Sequence, residues 1–180
     1  NNIIRNTVRD FAIENHFEFY DIKAHTGWLR NIIIRYSSTK ELMVNICFNY
    51  DAENDRIALF EHLLKQVPAI NTLLYTINPK WNDSIYDLTP QVYSGKGYIT
   101  EKLGAYQFII SPKSFFQTNA KQALNLYRVV RDFASLTESE IVYDLYTGTG
   151  SIAIFVSGKA KKIIGIEQVS AAIEDAKKNA

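Results

Sequence analysis

The chain has 180 residues, of which 47% are hydrophobic and 22% are charged, and its formal net charge is +1 at pH 7. This composition is typical of a folded protein with one ordinary domain or two small ones, and it excludes a disordered chain. The balanced charge excludes a strong overall attraction to nucleic acid, so any RNA contact must come from a local basic patch or from residues outside the chain.

The single cysteine, Cys47, excludes an internal disulfide framework and fits a reducing cytoplasm. Without a cysteine cluster we expect no zinc or iron–sulfur centre, and the three histidines show no metal-binding spacing. No apolar run approaches the roughly 20 residues that span a bilayer, so we expect no membrane partner and a cytoplasmic location. Both ends fall inside helical patterns, which favours a piece of a longer protein.

The first 110 residues predict a small α+β domain, because helical and strand periodicities are mixed along the chain. A polar turn between the first two strands is typical of a hairpin. The predicted elements are a helix over 3–16, strands over 29–36 and 42–48, a helix over 55–67, a strand over 72–77, short strands near Val92 and Tyr98, and a firmer strand over 106–110.

Beyond Pro112 helices and strands alternate, which predicts a parallel, doubly wound sheet of which two strands are present. The predicted elements are helices over 120–134, 151–157 and from 170 onward, and strands over 141–145 and 162–166. We therefore predict an α/β chain with two domains and a boundary near Ser111. Residues 1–110 form the central α+β domain, and residues 111–180 form the truncated start of a Rossmann-like sheet.

The strand over 141–145 runs into a glycine-rich turn that contains Gly148 and Gly150 and opens a helix. Glycines let the backbone approach a ligand closely, and the next strand ends at Glu167, whose carboxylate can accept hydrogen bonds from ribose hydroxyls. The pattern predicts a nucleotide or nucleoside site. The alternative is that the glycines only make a tight connection.

Asp144 separates two classes of cofactor for this turn. Its carboxylate, four residues before Gly148, would repel a pyrophosphate but suits the ammonium group of S-adenosylmethionine. No lysine or arginine stands in the turn to neutralise a phosphate. A methyltransferase is therefore favoured over a dinucleotide-dependent oxidoreductase, which stays open as an alternative.

The segments ISPKSFFQTN (110–119) and DLYTGTG (144–150) together resemble the bacterial RNA uracil-5-methyltransferase family, which modifies ribosomal and transfer RNA. The upstream pieces GWLR (27–30) and INPK (77–80) are also similar to the central region of that family. The resemblance implies a Rossmann-like methyltransferase domain, S-adenosylmethionine as cofactor, RNA as partner and methyl transfer to carbon 5 of a uridine, which we expect in 23S ribosomal RNA.

The resemblance places the cofactor contacts at Gln117, Tyr146 and Glu167. An amide, an aromatic surface and a ribose-binding carboxylate suit these roles. The alternatives are a helix-capping block for 117–119, a core aromatic for Tyr146 and a solvated acid for Glu167.

The resemblance also implies that the catalytic cysteine and the base lie outside this chain, so we assign no catalytic residue and expect the chain itself to be inactive. Cys47 lies in an ordinary strand and is interpreted as structural. Family members often carry a further RNA-binding domain, and some hold an iron–sulfur cluster.

Cations stand beside aromatic residues in the first 110 residues and suggest RNA contacts or, equally, solvated strand faces. The residues concerned are Arg30, the pair Arg35 and Tyr36, and the pair Lys80 and Trp81. A third function therefore stays open, in which residues 1–110 serve as an RNA- or protein-binding module.

Overall fold

The computed structural model describes residues 1–180 and contains five α-helices and eight β-strands. The helices are α1 (Asn2–Glu14), α2 (Glu53–Gln66), α3 (Ala120–Ala134), α4 (Ser151–Val156) and α5 (Ser170–Asn179). The strands are β1 (Leu29–Tyr36), β2 (Leu42–Phe48), β3 (Thr72–Ile77), β4 (Gln91–Ser94), β5 (Ile99–Leu103), β6 (Tyr106–Ile110), β7 (Ile141–Leu145) and β8 (Lys162–Ile166). The predicted order of helices and strands is confirmed, and so is the mixed α/β class.

The chain divides into two units near residue 100. The first unit comprises residues 1–36 and 40–99, and the second comprises residues 37–39 and 100–180. Strand β6 and nearly all of β5 thus lie in the same unit as the glycine turn, although the sequence suggested a boundary near Ser111. The division into a central domain (1–110) and a methyltransferase domain (111–180) stays a prediction.

The first unit is built on a four-stranded sheet in the order β1-β2-β3-β4. β1 and β2 pair antiparallel, as the predicted hairpin requires, whereas β2 and β3 pair parallel and are connected through α2. Every residue of β2 is buried. This burial on both faces explains why its sequence reads as a nearly continuous apolar run.

The core of the first unit lies between helices α1 and α2 and one face of the sheet. Residues of both helices pack there with alternate residues of β2, because successive side chains of a strand point to opposite faces. The buried members include Ile4, Val8, Ala12, Val44, Ile46, Phe48, Leu59, Phe60 and Leu63. Cys47 occupies the other face of β2.

The second unit contains two small sheets. β5 and β6 form a two-stranded sheet across the turn at Gly104, and β7 and β8 pair parallel with Ile141 opposite Lys162. A common core joins β5, β6 and β8 to α3 and α4, and its buried members are Leu103, Phe108, Ala123, Tyr127, Phe155 and Val156. The parallel pair connected by a helix is the βαβ step predicted from the sequence.

One face of β7 is poorly covered. Ile141, Tyr143 and Leu145 alternate along the strand and are each more than half exposed. Parallel sheets normally have both faces covered. The exposure of these apolar side chains is therefore unusual for a parallel sheet, which here has only two strands. None of the helices in the chain is both long and apolar enough to cross a membrane.

Candidate ligand-binding site

The glycine turn between β7 and α4 has an unusual backbone. Tyr146, Gly148 and Gly150 all adopt left-handed conformations, with φ of 62°, 58° and 77°. Glycine adopts this region without steric cost, whereas tyrosine does so only when the surrounding structure holds it there. A Cβ at Gly148 would meet no atom within 4 Å. Glycine is therefore favoured at this position by its backbone conformation, while the space beside it stays open.

Asp144 fixes the path of the turn. Its Oδ2 accepts hydrogen bonds from the Thr147 hydroxyl at 2.7 Å and from the Ala153 backbone N–H at 3.1 Å. Ala153 lies in the first turn of α4, whose N-cap residue, Gly150, has no side chain to satisfy the free N–H groups. The carboxylate thus caps α4 through one oxygen, and Oδ1 has no hydrogen-bond partner within the chain.

Glu167 follows β8 directly and lies against the turn. Its Oε2 accepts a hydrogen bond from the Gly148 N–H at 3.0 Å, while Oε1 accepts from the N–H groups of Gln168 and Val169 at 2.8 and 2.9 Å. The backbone hydrogen bonds from Val169, Gly148 and Gln168 lower the pKa of Glu167, against a smaller opposing effect of burial. A carboxylate offers about four acceptor positions, so this one keeps capacity for a ligand hydroxyl.

Tyr146 extends from the same turn into solvent, with 89% of its surface exposed. The interpretation of Tyr146 as a core aromatic is therefore wrong. Its ring offers an accessible apolar surface beside Gly148, and its left-handed backbone is held within the turn that Asp144 caps. The structure thus places Tyr146 in the turn against which Glu167 lies.

Gln117 lies elsewhere in the second unit. It lines a shallow hollow together with neighbouring residues of its own segment and of α3, and no residue of the glycine turn lines that hollow. The helix-capping alternative holds for Asn119, whose Oδ1 accepts a hydrogen bond from the Gln122 N–H at 3.1 Å. Gln117 takes no part in this cap. The hollow that Gln117 lines contains neither Tyr146 nor Glu167.

The second unit also contains a cavity of about 590 Å³, which reaches the glycine turn at Thr147 and Gly150. It lies between α4, β8 and α5, and neither Gln117, Tyr146 nor Glu167 lines it. Its walls include apolar residues of the two helices, such as Ile154 and Ile173, and polar ones such as Lys177. We therefore locate the candidate site at the turn, where a carboxylate and open backbone meet.

Two polar residues of α5 that the sequence analysis missed hold the segments around the site. Buried Asp175 accepts hydrogen bonds from the hydroxyls of Ser111, at 2.8 Å, and Ser114. Asn179 bonds both backbone groups of Ile109 and donates to the Thr149 carbonyl at 3.1 Å. Their spacing of four residues, which puts both on one face of a helix, was the available signal.

Cys47 does not belong to a reactive site. It is fully buried in β2, and burial raises the pKa of its thiol to about 11. A thiol with this pKa is almost entirely protonated at neutral pH, whereas the thiolate is the nucleophile. The interpretation of Cys47 as structural is confirmed.

No protein-family model matches the chain. Among curated proteins, an uncharacterized RNA methyltransferase of Bacteroides thetaiotaomicron is 51% identical over 99% of the chain, which covers 40% of that protein. One of Porphyromonas gingivalis is 46% identical over 98% of the chain, which covers 38% of that protein. The chain thus spans about two fifths of the length of these relatives.

Among solved structures, a tRNA (uracil-54, C5)-methyltransferase of Pyrococcus abyssi, in complex with S-adenosyl-L-homocysteine, is 28% identical with a TM-score of 0.75. The match covers 97% of this chain and 42% of that one. A tRNA m1G37 methyltransferase of M. jannaschii, 15% identical with a TM-score of 0.51, shares the fold. The chain is therefore similar over nearly its whole length to part of the RNA methyltransferases and has their Rossmann-like α/β fold.

Proposed function

We propose that this chain is the cofactor-binding part of an RNA methyltransferase that transfers a methyl group from S-adenosylmethionine to carbon 5 of a uridine. The observation that carries the proposal is the Glu167 carboxylate, hydrogen-bonded to Gly148 where the parallel strands β7 and β8 end. Open α/β sheets bind their ligands at this edge. The similarity to a solved uracil-C5 methyltransferase supports the choice of reaction.

The residues of the turn suit S-adenosylmethionine by their chemistry. Glu167 keeps an acceptor position for a ribose hydroxyl, and Tyr146 offers an exposed ring. The free Oδ1 of Asp144 suits an ammonium group, whereas a dinucleotide pyrophosphate would be repelled there. Gln117 is proposed as a further contact from the family pattern alone, since it lies in another hollow.

Methylation of uracil at carbon 5 needs groups that this chain does not offer. A cysteine thiolate adds to carbon 6, carbon 5 then takes the methyl group from the sulfonium, and a base removes the carbon-5 proton as the thiolate leaves. Cys47 is protonated and buried. We therefore propose that the nucleophile and the base belong to parts of the protein outside these residues, and that the chain binds the cofactor without turning it over.

The class of RNA is the finer part of the proposal. The family resemblance favours 23S ribosomal RNA, whereas the solved relative from Pyrococcus abyssi acts on uracil 54 of tRNA. In either RNA the methylated residue would be a uridine, so the proposed chemistry is the same. We expect the enzyme to work in the cytoplasm, where both substrates occur.

Calorimetry with S-adenosylhomocysteine and with NAD tests the cofactor class. We expect the chain to bind S-adenosylhomocysteine and to bind NAD at least tenfold more weakly, because Asp144 disfavours a pyrophosphate. Tighter binding of NAD would favour the oxidoreductase alternative. Binding of neither compound at millimolar concentration would contradict a cofactor site in this chain.

A further inference from the structure

An exposed pair of stacked rings lies on the first unit. The indole of Trp81 lies flat on the imidazole of His25, with ring centroids 4.5 Å apart and planes inclined by 9°. Trp81 is 76% exposed, whereas the other tryptophan, Trp28, is buried. We refer to His25 and Trp81 together as the stacking pair.

The loop that carries His25 is fixed by its own hydrogen bonds. The carbonyl of Asp21 accepts from the His25 N–H at 2.8 Å, and the carboxylate of Asp21 accepts from the N–H groups of Lys23 and Ala24. The His25 ring itself is bonded through Nδ1 to the Tyr20 hydroxyl at 3.2 Å. The imidazole is therefore held in place before any ligand arrives.

The loop that carries Trp81 is fixed by a buried arginine. The side chain of Arg30 is 1% exposed, and its guanidinium lies 3.9 Å from the centroid of the Tyr20 ring. Its N–H groups donate to four oxygens, which belong to the carbonyls of Asn78, Lys80 and Asn82 and to the carboxylate of Asp83. Arg30 thus links Tyr20, which contacts His25, to the loop that carries Trp81.

These contacts correct the hypothesis that Arg30 and Lys80 meet RNA phosphates. Arg30 is buried, and Lys80 donates to the Ser84 carbonyl and forms an ion pair with Asp87. Trp81, next to Lys80 in the chain, stays 76% exposed. The indole is therefore the accessible group that we consider for RNA contact.

Stability does not account for the exposure of Trp81. Hydrophobic stabilisation is proportional to the apolar area removed from water, and most of the indole surface stays in water. Two loops are nevertheless ordered around it. A rigid aromatic face loses little freedom on binding, and every nucleobase has a flat face that stacks on such a ring.

We propose that the stacking pair is a platform for an unpaired nucleobase of RNA. The inference rests on the proposed function, which supplies RNA as the ligand. Sequence-tolerant stacking suits an exposed ring, because every nucleobase has a flat face. Such a platform would position RNA without reading its sequence.

Two titrations of the chain with short single-stranded oligouridine test the platform. Tryptophan emission should be quenched, because Trp81 is the exposed tryptophan and Trp28 is buried. By anisotropy of labelled RNA, Trp81→Ala should weaken binding about tenfold and Trp81→Phe should restore most of the affinity. His25→Asn, which suits the left-handed backbone at φ 56°, should weaken binding by a smaller factor.

Two controls separate stacking from other effects. Phe133→Ala removes a ring on α3 that is even more exposed, at 86%, and should leave RNA affinity unchanged. An oligonucleotide with the same phosphates but without bases should bind wild type and Trp81→Ala equally. Circular dichroism checks that each variant is folded, and the quenching of wild type needs no variant at all.

Absence of quenching by RNA, or equal RNA affinity of wild type and folded Trp81→Ala, would overturn the platform. A surface that serves a protein partner would give that result. If S-adenosylhomocysteine still binds in that case, the platform fails while the proposed function stands. Failure of both bindings would count against the proposed function as well.

Discussion

Glu167 is the residue on which the candidate site depends most, because its carboxylate joins the end of β8 to the Gly148 N–H of the glycine turn. We predict that Glu167→Gln weakens S-adenosylhomocysteine binding about tenfold or more. The amide replaces one acceptor oxygen by a donor, which must face either the Gly148 N–H or those of Gln168 and Val169. Calorimetry on the folded variant measures the change.

Glu174→Gln is the matched control for this substitution. Glu174 is an exposed acid on α5 whose hydrogen bond to Lys177 lowers its pKa, as backbone hydrogen bonds lower that of Glu167. It lies outside the turn, so its replacement should leave cofactor affinity unchanged. Equal effects of the two substitutions would mean that Glu167 acts only through the net charge of the unit.

The positions of some site residues could be predicted from the sequence, whereas those of others could not. Glu167 was found because the last residue of the second parallel strand must lie near the preceding glycine turn. Gln117 could not be placed in the same way, since the path of its segment is set by Asp175, some 60 positions later in the chain. From the sequence alone, polar residues on α5 predict a solvated helix face. Only the fold shows that Ser111 and Ser114 contact one of them, Asp175.

At the level of elements, α5 is fastened by a buried carboxylate. We predict that Asp175→Ala destabilises the second unit by about 1–3 kcal/mol, because the hydroxyls of Ser111 and Ser114 lose their acceptor while they stay largely buried. Urea unfolding measures the difference. Glu174→Ala, one position earlier and exposed, should change the stability far less. Equal losses of unfolding free energy in the two variants would contradict a stabilising role of the Asp175 hydrogen bonds.

The turn before β7 provides a pH prediction. The hydroxyl and the N–H of Thr137 hydrogen-bond Glu140 and lower its pKa to about 2 from an ordinary 4.5. A depressed carboxyl pKa stabilises the folded state above the unfolded pKa, and the contribution is lost as pH falls through the folded pKa. Glu140→Gln should therefore be less stable than wild type at pH 6, and the difference should vanish between pH 4.5 and 2.

Urea midpoints at several pH values test this expectation, and a carbon NMR titration of Glu140 gives its pKa directly. Because Glu140 is exposed, solvent screening keeps the effect small. A difference in stability between wild type and Glu140→Gln that persists unchanged at pH 2 would contradict the hydrogen bonds of this turn. So would titration of Glu140 near its ordinary pKa of 4.5.

The elements themselves followed closely from the sequence. Strand β2 was readable because full burial selects apolar residues at every position, and α3 because its apolar positions keep a helical period. The sequence did not reveal that β5 and β6 pack with α3 and α4, since strand periodicity does not say which neighbour a strand meets.

At the scale of the whole molecule, the core of the second unit predicts how a shorter piece behaves. Residues 111–180 alone lack Leu103 and Phe108, which are buried in the same cluster as Tyr127 and Phe155. We predict that this piece shows no cooperative melting, whereas residues 100–180 melt more cooperatively because they restore β6 and most of β5. A sharp, monomeric transition for 111–180 would contradict the expectation.

The central claim is that the chain supplies the cofactor site of a uridine methyltransferase, and transfer of radiolabelled methyl groups to RNA tests it most directly. A protein that contains this chain within a sequence as long as the curated relatives should label carbon 5 of uridine in ribosomal or transfer RNA, and Glu167→Gln should reduce that labelling. The 180-residue chain alone should transfer no label, because Cys47 is buried and protonated. Label on a guanine, or label transferred by the chain alone and lost with Cys47→Ala, would contradict the account.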